Sequence, residues 1–171
     1  MESPAEALVD ALKEAGARVA TAESLTGGRL AATLTNVPGS SGVYAGGVVS
    51  YQTDVKVGVL DVPQSIVDEH GVVSAECAKA MADGARRLLG TTYALSTTGV
   101  AGPERQEDKP VGTVFVGLAG PDDTRALALD LDGSRSEIQD ATVDAAVAAL
   151  AEAIEAARSR TGQPAEDSRL G

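Results

Sequence analysis

The chain predicts an α/β fold: a mixed, mostly parallel sheet covered by helices on both faces, with one antiparallel strand. Three observations carry that prediction. Segments with apolar residues at helical spacing alternate with short runs rich in Val, Ala and Leu, in the order helix, strand, helix, strand, helices, strand, hairpin strand, helix. The turn Gly120-Pro121-Asp122-Asp123 joins two strand-like runs as an antiparallel hairpin. Finally, no internal repeat or linker interrupts the 171 residues. That length suits one domain, placed at residues 1–160.

The elements follow in order. Ala5, Leu8, Val9, Leu12 and Ala15 mark an amphipathic helix over residues 4–15, with Ser3 as cap, Pro4 at the first helical position and Gly16 as stop. A strand over Arg18–Ala22 leads into Thr21-Ala-Glu-Ser-Leu-Thr-Gly-Gly28, and a helix over Gly27–Thr35 leads out. After the Pro38-Gly39 turn, Gly47–Gln52 is the expected second strand. Short helices are expected over Thr53–Val59 and from Pro63 to His70, then a longer one over Ser74–Leu89, acidic at its start and basic at its end. Thr91–Thr98 reads as a strand and Gly99–Lys109 as a loop. Val111–Ala119 and Thr124–Leu131 form the hairpin, and Gly133-Ser134 opens an Ala-rich helix to about Arg158. The polar stretch 161–171 is expected to be a disordered tail.

Composition narrows the function. Formal net charge is −11, from 14 basic and 25 acidic residues, which is not the footprint of a nucleic-acid or anionic-membrane binder. Aromatic residues make up only 2%, too few for base-stacking platforms. A single cysteine, Cys77, excludes an internal disulfide, and its helical setting suggests packing. No apolar run is long enough to span a bilayer and the N-terminus lacks a signal pattern, so a cytoplasmic protein is expected. The Ala-rich last helix suggests a homo-oligomer, with a dimer favoured.

Ser24 sits where a strand-to-helix turn could present it as a nucleophile, or where it could simply cap a helix. A nucleophile needs a base. The sole histidine, His70, lies before Gly71 at an expected helix C-terminus, which suits a structural role and leaves no histidine for a triad or metal site. Lysine is the remaining base, and Ser-Lys pairs are a recognised variant. Of the four lysines, Lys13 and Lys79 fall on helix faces, whereas Lys56 follows the second strand beside Tyr51, either as a surface charge or as that base. Lys109 could meet an anion or be a loop charge. The turn from Thr98 through Gly99 to Gly102 could approach a phosphate through its backbone or be an ordinary Gly-Pro turn. Arg135, a cation at a helix N-terminus, hints at an anionic partner. The loops after the strands could converge at the carboxyl edge of the sheet.

Taken together, Thr21–Gly28, Gly39-Ser-Ser41, Gly47-Val-Val-Ser-Tyr51 with Lys56, His70-Gly-Val-Val-Ser74, Thr98-Gly-Val-Ala-Gly-Pro103, Lys109-Pro-Val-Gly-Thr113 and Gly133-Ser-Arg135 resemble the CinA C-terminal domain family, the nicotinamide-nucleotide amidases of the PncC type. The resemblance covers about residues 5–155. It implies a three-layer α/β/α sandwich and hydrolysis of the carboxamide of nicotinamide mononucleotide, a small-molecule nucleotide substrate, without metal or cofactor. The family's nucleophile, lysine and tyrosine fall on Ser24, Lys56 and Tyr51. Thr26, Gly27, Gly28, Thr98, Gly99 and Gly102 match pocket positions, and Arg135 matches the Arg of a Gly-Asp-Arg signature; Lys109 is a further candidate for the substrate phosphate. The chain departs from the family pattern at Leu25 (commonly Cys), Ser134 (commonly Asp), Gln139 (commonly Arg) and the shorter 104–106 loop (commonly Asp-Gly-Gly). Competing readings are a non-catalytic nucleotide-binding module, an amidase for another carboxamide, and an interaction protein.

Overall fold

A computed structural model describes residues 1–162. The elements are α1 (Pro4–Ala15), β1 (Val19–Glu23), α2 (Arg29–Thr35), β2 (Tyr44–Val49), α3 (Thr53–Gly58), α4 (Gln64–His70), α5 (Ala75–Leu89), β3 (Tyr93–Gly99), β4 (Thr113–Ala119), β5 (Thr124–Asp130) and α6 (Arg135–Thr161). Thr161 closes the last helix, and the rest of the expected tail lies outside the described residues. No described helix is long and apolar enough to cross a membrane.

The five strands lie in the order β2-β1-β3-β4-β5. β1 pairs in parallel with both β2 and β3, while β4 runs antiparallel to β3 and β5 antiparallel to β4. Only β4 therefore opposes the common direction, as expected. One edge of the sheet collects the carboxyl ends of β1, β2, β3 and β5 together with the start of β4. The site described below is built on that edge.

Alternation along the strands divides two cores. Val19, Leu95 and Val116 face Leu8, Leu12, Leu30, Leu34 and the apolar side of α6, so α1, α2 and α6 cover one face. Ala20, Ala22 and Ala94 face Cys77, Met81, Ala82 and Ala85, so α5 covers the other. Small residues let α5 approach closely: a Cβ at Gly117 would meet the carbonyl of Ala78 and the hydroxyl of Ser96. The Ala-rich side of α6, including Ala146, Ala149 and Ala153, is consumed inside the fold with α1 and the sheet. Ala148 and Ala156 of the same helix remain exposed.

Most elements begin where the sequence places them. Ser3 caps α1 and Ser74 caps α5. The second strand is the exception, starting at Tyr44 and ending at Val49 instead of spanning Gly47–Gln52. Its glycines lie inside the strand because Gly47 is flush against Thr21 and Tyr44, where a side chain would collide. The strand stops early because the Ser50 and Tyr51 carbonyls turn to Lys56 Nζ.

Helix α2 is capped in an unexpected way. Neither Ser24 nor Thr26 caps it, and its cap position, Gly28, has no side chain. Glu23, the last residue of β1, reaches forward to accept from Leu30 N at 2.8 Å, Ala31 N at 3.1 Å and Thr26 Oγ1 at 2.6 Å. A fully buried carboxylate thus satisfies two of the amides that a helix start leaves unpaired. Glu23→Ala should lower unfolding free energy by about 2–4 kcal/mol, because it leaves buried amides unsatisfied; urea denaturation measures this, and Glu23→Gln should cost less.

Candidate active site

Ser24 is the first residue beyond β1, and its N–H donates to Thr97 O at 3.0 Å. The bond fixes the backbone while the half-buried hydroxyl faces the cleft at the sheet edge. Downstream, Gly27 and Gly28 adopt φ of 55° and 103°, left-handed conformations that bend the chain into α2. Thr26 is buried with its hydroxyl 2.8 Å from Thr97 Oγ1. Thr26, Gly27 and Gly28 shape the turn and are not among the residues that line the cleft.

Lys56 lies on the short helix α3 yet is only 1% exposed, so the surface-charge alternative fails. Its Nζ donates to Ser50 O at 2.6 Å and to Tyr51 O at 3.4 Å, and lies 3.0 Å from Ser24 Oγ. No carboxylate pairs with it within salt-bridge range among the described residues. Burial pushes its pKa below the ordinary lysine value, with more distant Cys77 and Glu107 opposing weakly. Cys77, in the first turn of α5, is buried against the sheet, and its thiol is pushed up to about 11 by that burial. It is a packing residue, as its sequence setting suggests.

The cleft above this pair has a volume of about 500 Å³. Thr98, Gly99 and Gly102 form one wall, with the Thr98 hydroxyl donating to Val72 O at 2.7 Å. Arg135 stands at the rim, donating from Nη1 to Gly102 O at 2.6 Å and from Nη2 to the Tyr51 hydroxyl at 2.9 Å. Tyr51 is 59% exposed, and it is its main-chain carbonyl that meets Lys56. The Tyr51 side chain lines the cleft with its hydroxyl bonded to Arg135. Lys109 is displaced: its ammonium donates to Val73 O, and it does not line the cleft. His70 ends α4 before Gly71 and lies outside the cleft, and no cluster of potential metal ligands occurs among the described residues.

Several contributors are not visible in the sequence. Glu23 holds the turn from below. Leu25 packs with Ala101, Val114 and Ile138, and its carbonyl accepts from Gln139 Nε2 at 2.7 Å. This accounts for both departures from the family pattern together: Leu25 fills an apolar niche, and Gln139 supplies a neutral donor to its backbone. The Leu25 N–H, next to the Ser24 hydroxyl, has no hydrogen-bond partner among the described residues. Ser134 serves as well as Asp would, since it accepts from Glu137 N while Glu137 accepts from Ser134 N, a capping box for α6. The pattern Ser134-x-x-Glu137 was the available signal for that.

Comparisons with known proteins agree with this architecture. The model of the CinA C-terminal domain matches residues 1–154. A CinA-like protein from Frankia casuarinae is 52% identical over 128 residues, covering 75% of this chain and 30% of that protein. Another from Geotalea uraniireducens is 46% identical over 128 residues, covering 74% and 30%. The chain thus spans about a third of the length of these curated relatives. Among solved structures, a competence-damaged protein (CinA) superfamily protein from Klebsiella pneumoniae superposes with a TM-score of 0.87 at 33% identity, covering 89% of this chain and 96% of that one. The competence/damage inducible protein CihA from Agrobacterium tumefaciens gives 0.84 at 34% identity, covering 89% and 93%. With the family model matching nearly all of the described residues, and the same mixed sheet in its solved members, this chain belongs to the CinA C-terminal domain family.

Proposed function

We propose that the chain is an amidohydrolase that converts nicotinamide mononucleotide to nicotinic acid mononucleotide and ammonia by Ser-Lys acyl transfer. The observation that carries this reading is the setting of Lys56 Nζ, buried, unpaired with any carboxylate and 3.0 Å from Ser24 Oγ. A neutral amine has two N–H groups and one lone pair. The Ser50 and Tyr51 carbonyls take the two hydrogens, which leaves the lone pair for the Ser24 hydroxyl. Burial favours that neutral form.

In the first step Lys56 removes the proton from Ser24 Oγ as the oxygen bonds to the carboxamide carbon. The oxyanion that forms is met by the free Leu25 N–H, a kind of contact typically worth ~3 kcal/mol. Lys56 then returns the proton to the amide nitrogen, the C–N bond breaks and ammonia leaves. Water, deprotonated by Lys56, attacks the resulting ester. Collapse of that second adduct breaks the Ser24 ester bond and restores the hydroxyl with the proton held by Lys56. One amine serves as base and acid in both halves, so no histidine is needed.

Ammonia release from nicotinamide mononucleotide tests the reading. Wild type should turn over, while Ser24→Ala and Lys56→Ala should each lose about a thousandfold or more in kcat. Absence of release by wild type would overturn the function, and undiminished release by Ser24→Ala would overturn the nucleophile.

The pH dependence has a defined sign. The base form of Lys56 is required, so the kcat/KM profile should rise with pH along an acid limb whose midpoint lies below the ordinary lysine value. Stability follows the same direction. Between the lowered folded pKa and the unfolded value of 10.5 the unfolded chain binds more protons, so wild type gains stability relative to Lys56→Met as pH rises through that window. Paired thermal melts across pH measure the difference.

A further inference from the structure

The charges lining the cleft invert those of the molecule. The whole chain has 25 acidic and 14 basic residues. The cleft is lined by three basic side chains, Lys56, Arg105 and Arg135, and one acidic side chain, Glu104. Lys56 is turned inward to Ser24 and two carbonyls, which leaves the two arginines as cations for a ligand. Neither is within salt-bridge range of a carboxylate among the described residues. Arg135 spends single contacts of Nη1 and Nη2 on Gly102 O and the Tyr51 hydroxyl, and Arg105 spends one of Nη2 on Asp108 O. Each guanidinium has five N–H donors, so most remain available.

Arg105 is held more firmly than a loop residue usually is. It begins a tight turn in which Gln106 and Lys109 exchange backbone bonds of 3.3 and 2.9 Å. The residues at the tip, Glu107 and Asp108, have φ of 53° and 59°. The turn is then tied down across the cleft wall. Glu107 accepts from Val72 N at 3.0 Å and Val73 N at 2.8 Å, and the Lys109 ammonium bonds Val73 O. The staple fixes the backbone that carries Arg105, and the Asp108 carbonyl holds one edge of its guanidinium, which lowers the entropy lost on meeting an anion. Its planar fork matches a phosphate group bidentately.

We propose that Arg105 and Arg135 together form the subsite for the substrate's phosphate, and that Arg105 is the residue by which this chain selects a nucleotide over its nucleoside. The proposal rests on the amidase reading for the identity of the substrate. It assigns the phosphate to Arg105 and not to Lys109, which bonds Val73 O and does not line the cleft.

The test compares kcat/KM for ammonia release from nicotinamide mononucleotide and nicotinamide riboside by wild type, Arg105→Ala and Arg105→Lys. Wild type should prefer the phosphorylated substrate. In Arg105→Ala that preference should fall about tenfold or more, the loss of one charge-assisted contact, with Arg105→Lys between the two. A preference unchanged in Arg105→Ala overturns the assignment. Calorimetric titration of the same two compounds into Ser24→Ala and Ser24→Ala/Arg105→Ala separates this from failure of the amidase reading. If wild type releases no ammonia, tighter binding of the mononucleotide that depends on Arg105 still sustains the subsite. Equal binding to both proteins, or no binding, overturns it.

Discussion

A carboxylate buried at the end of an interior strand holds this site together. Glu23 finishes β1 and accepts from two α2 amides and the Thr26 hydroxyl, so the turn between them has few ways to relax. Ser24 is the residue within that turn whose side chain is left for the cleft. Burying a carboxylate is unfavourable unless its oxygens find donors, and here the helix start supplies them. The same interaction that lets α2 begin without a side-chain cap also fixes where the hydroxyl points.

Lys56 depends on the neighbouring strand in a comparable way. β2 gives up its ladder after Val49, and the two carbonyls it releases become the acceptors that hold the amine. Ser50 N still donates to Glu23 O, so Lys56 and Ser24 are registered to each other through the backbone of β1. The acidic surface of the chain has little part in this. What governs the pair is local desolvation, together with the lack of a carboxylate partner that would hold the amine charged.

The sheet and its single reversed strand were legible because they rest on local pattern, whereas the residues alone left Lys56 open between a surface charge and a base, and only the family resemblance set it beside Ser24. Strand-to-helix turns, a Gly-Pro hairpin and capped helices all leave signals within a few residues. What escaped detection acts at a distance or runs against type. Glu23 reads as an ordinary polar strand end until α2 folds over it. Gln139 meets the Leu25 carbonyl across 114 residues of chain, a separation that no periodicity reports. Gly47 reads as a strand start, because its need for closeness to Thr21 exists only in the assembled sheet. Lys109 and Arg105 lie four residues apart in a charged loop, and only the fold of the 106–109 turn decides which one faces the cleft.

That turn has an implication for how the family could diversify. The reacting pair is mounted on the sheet and on α3, anchored by backbone groups, whereas the guanidinium at position 105 is carried by a surface turn with its own fastening to Val72 and Val73. Residues 104–106 can therefore be exchanged without disturbing the backbone contacts that place Ser24 and Lys56. The turn that carries Arg105 and the backbone contacts that set Ser24 against Lys56 are thus separate parts of the chain, and one can vary without moving the other.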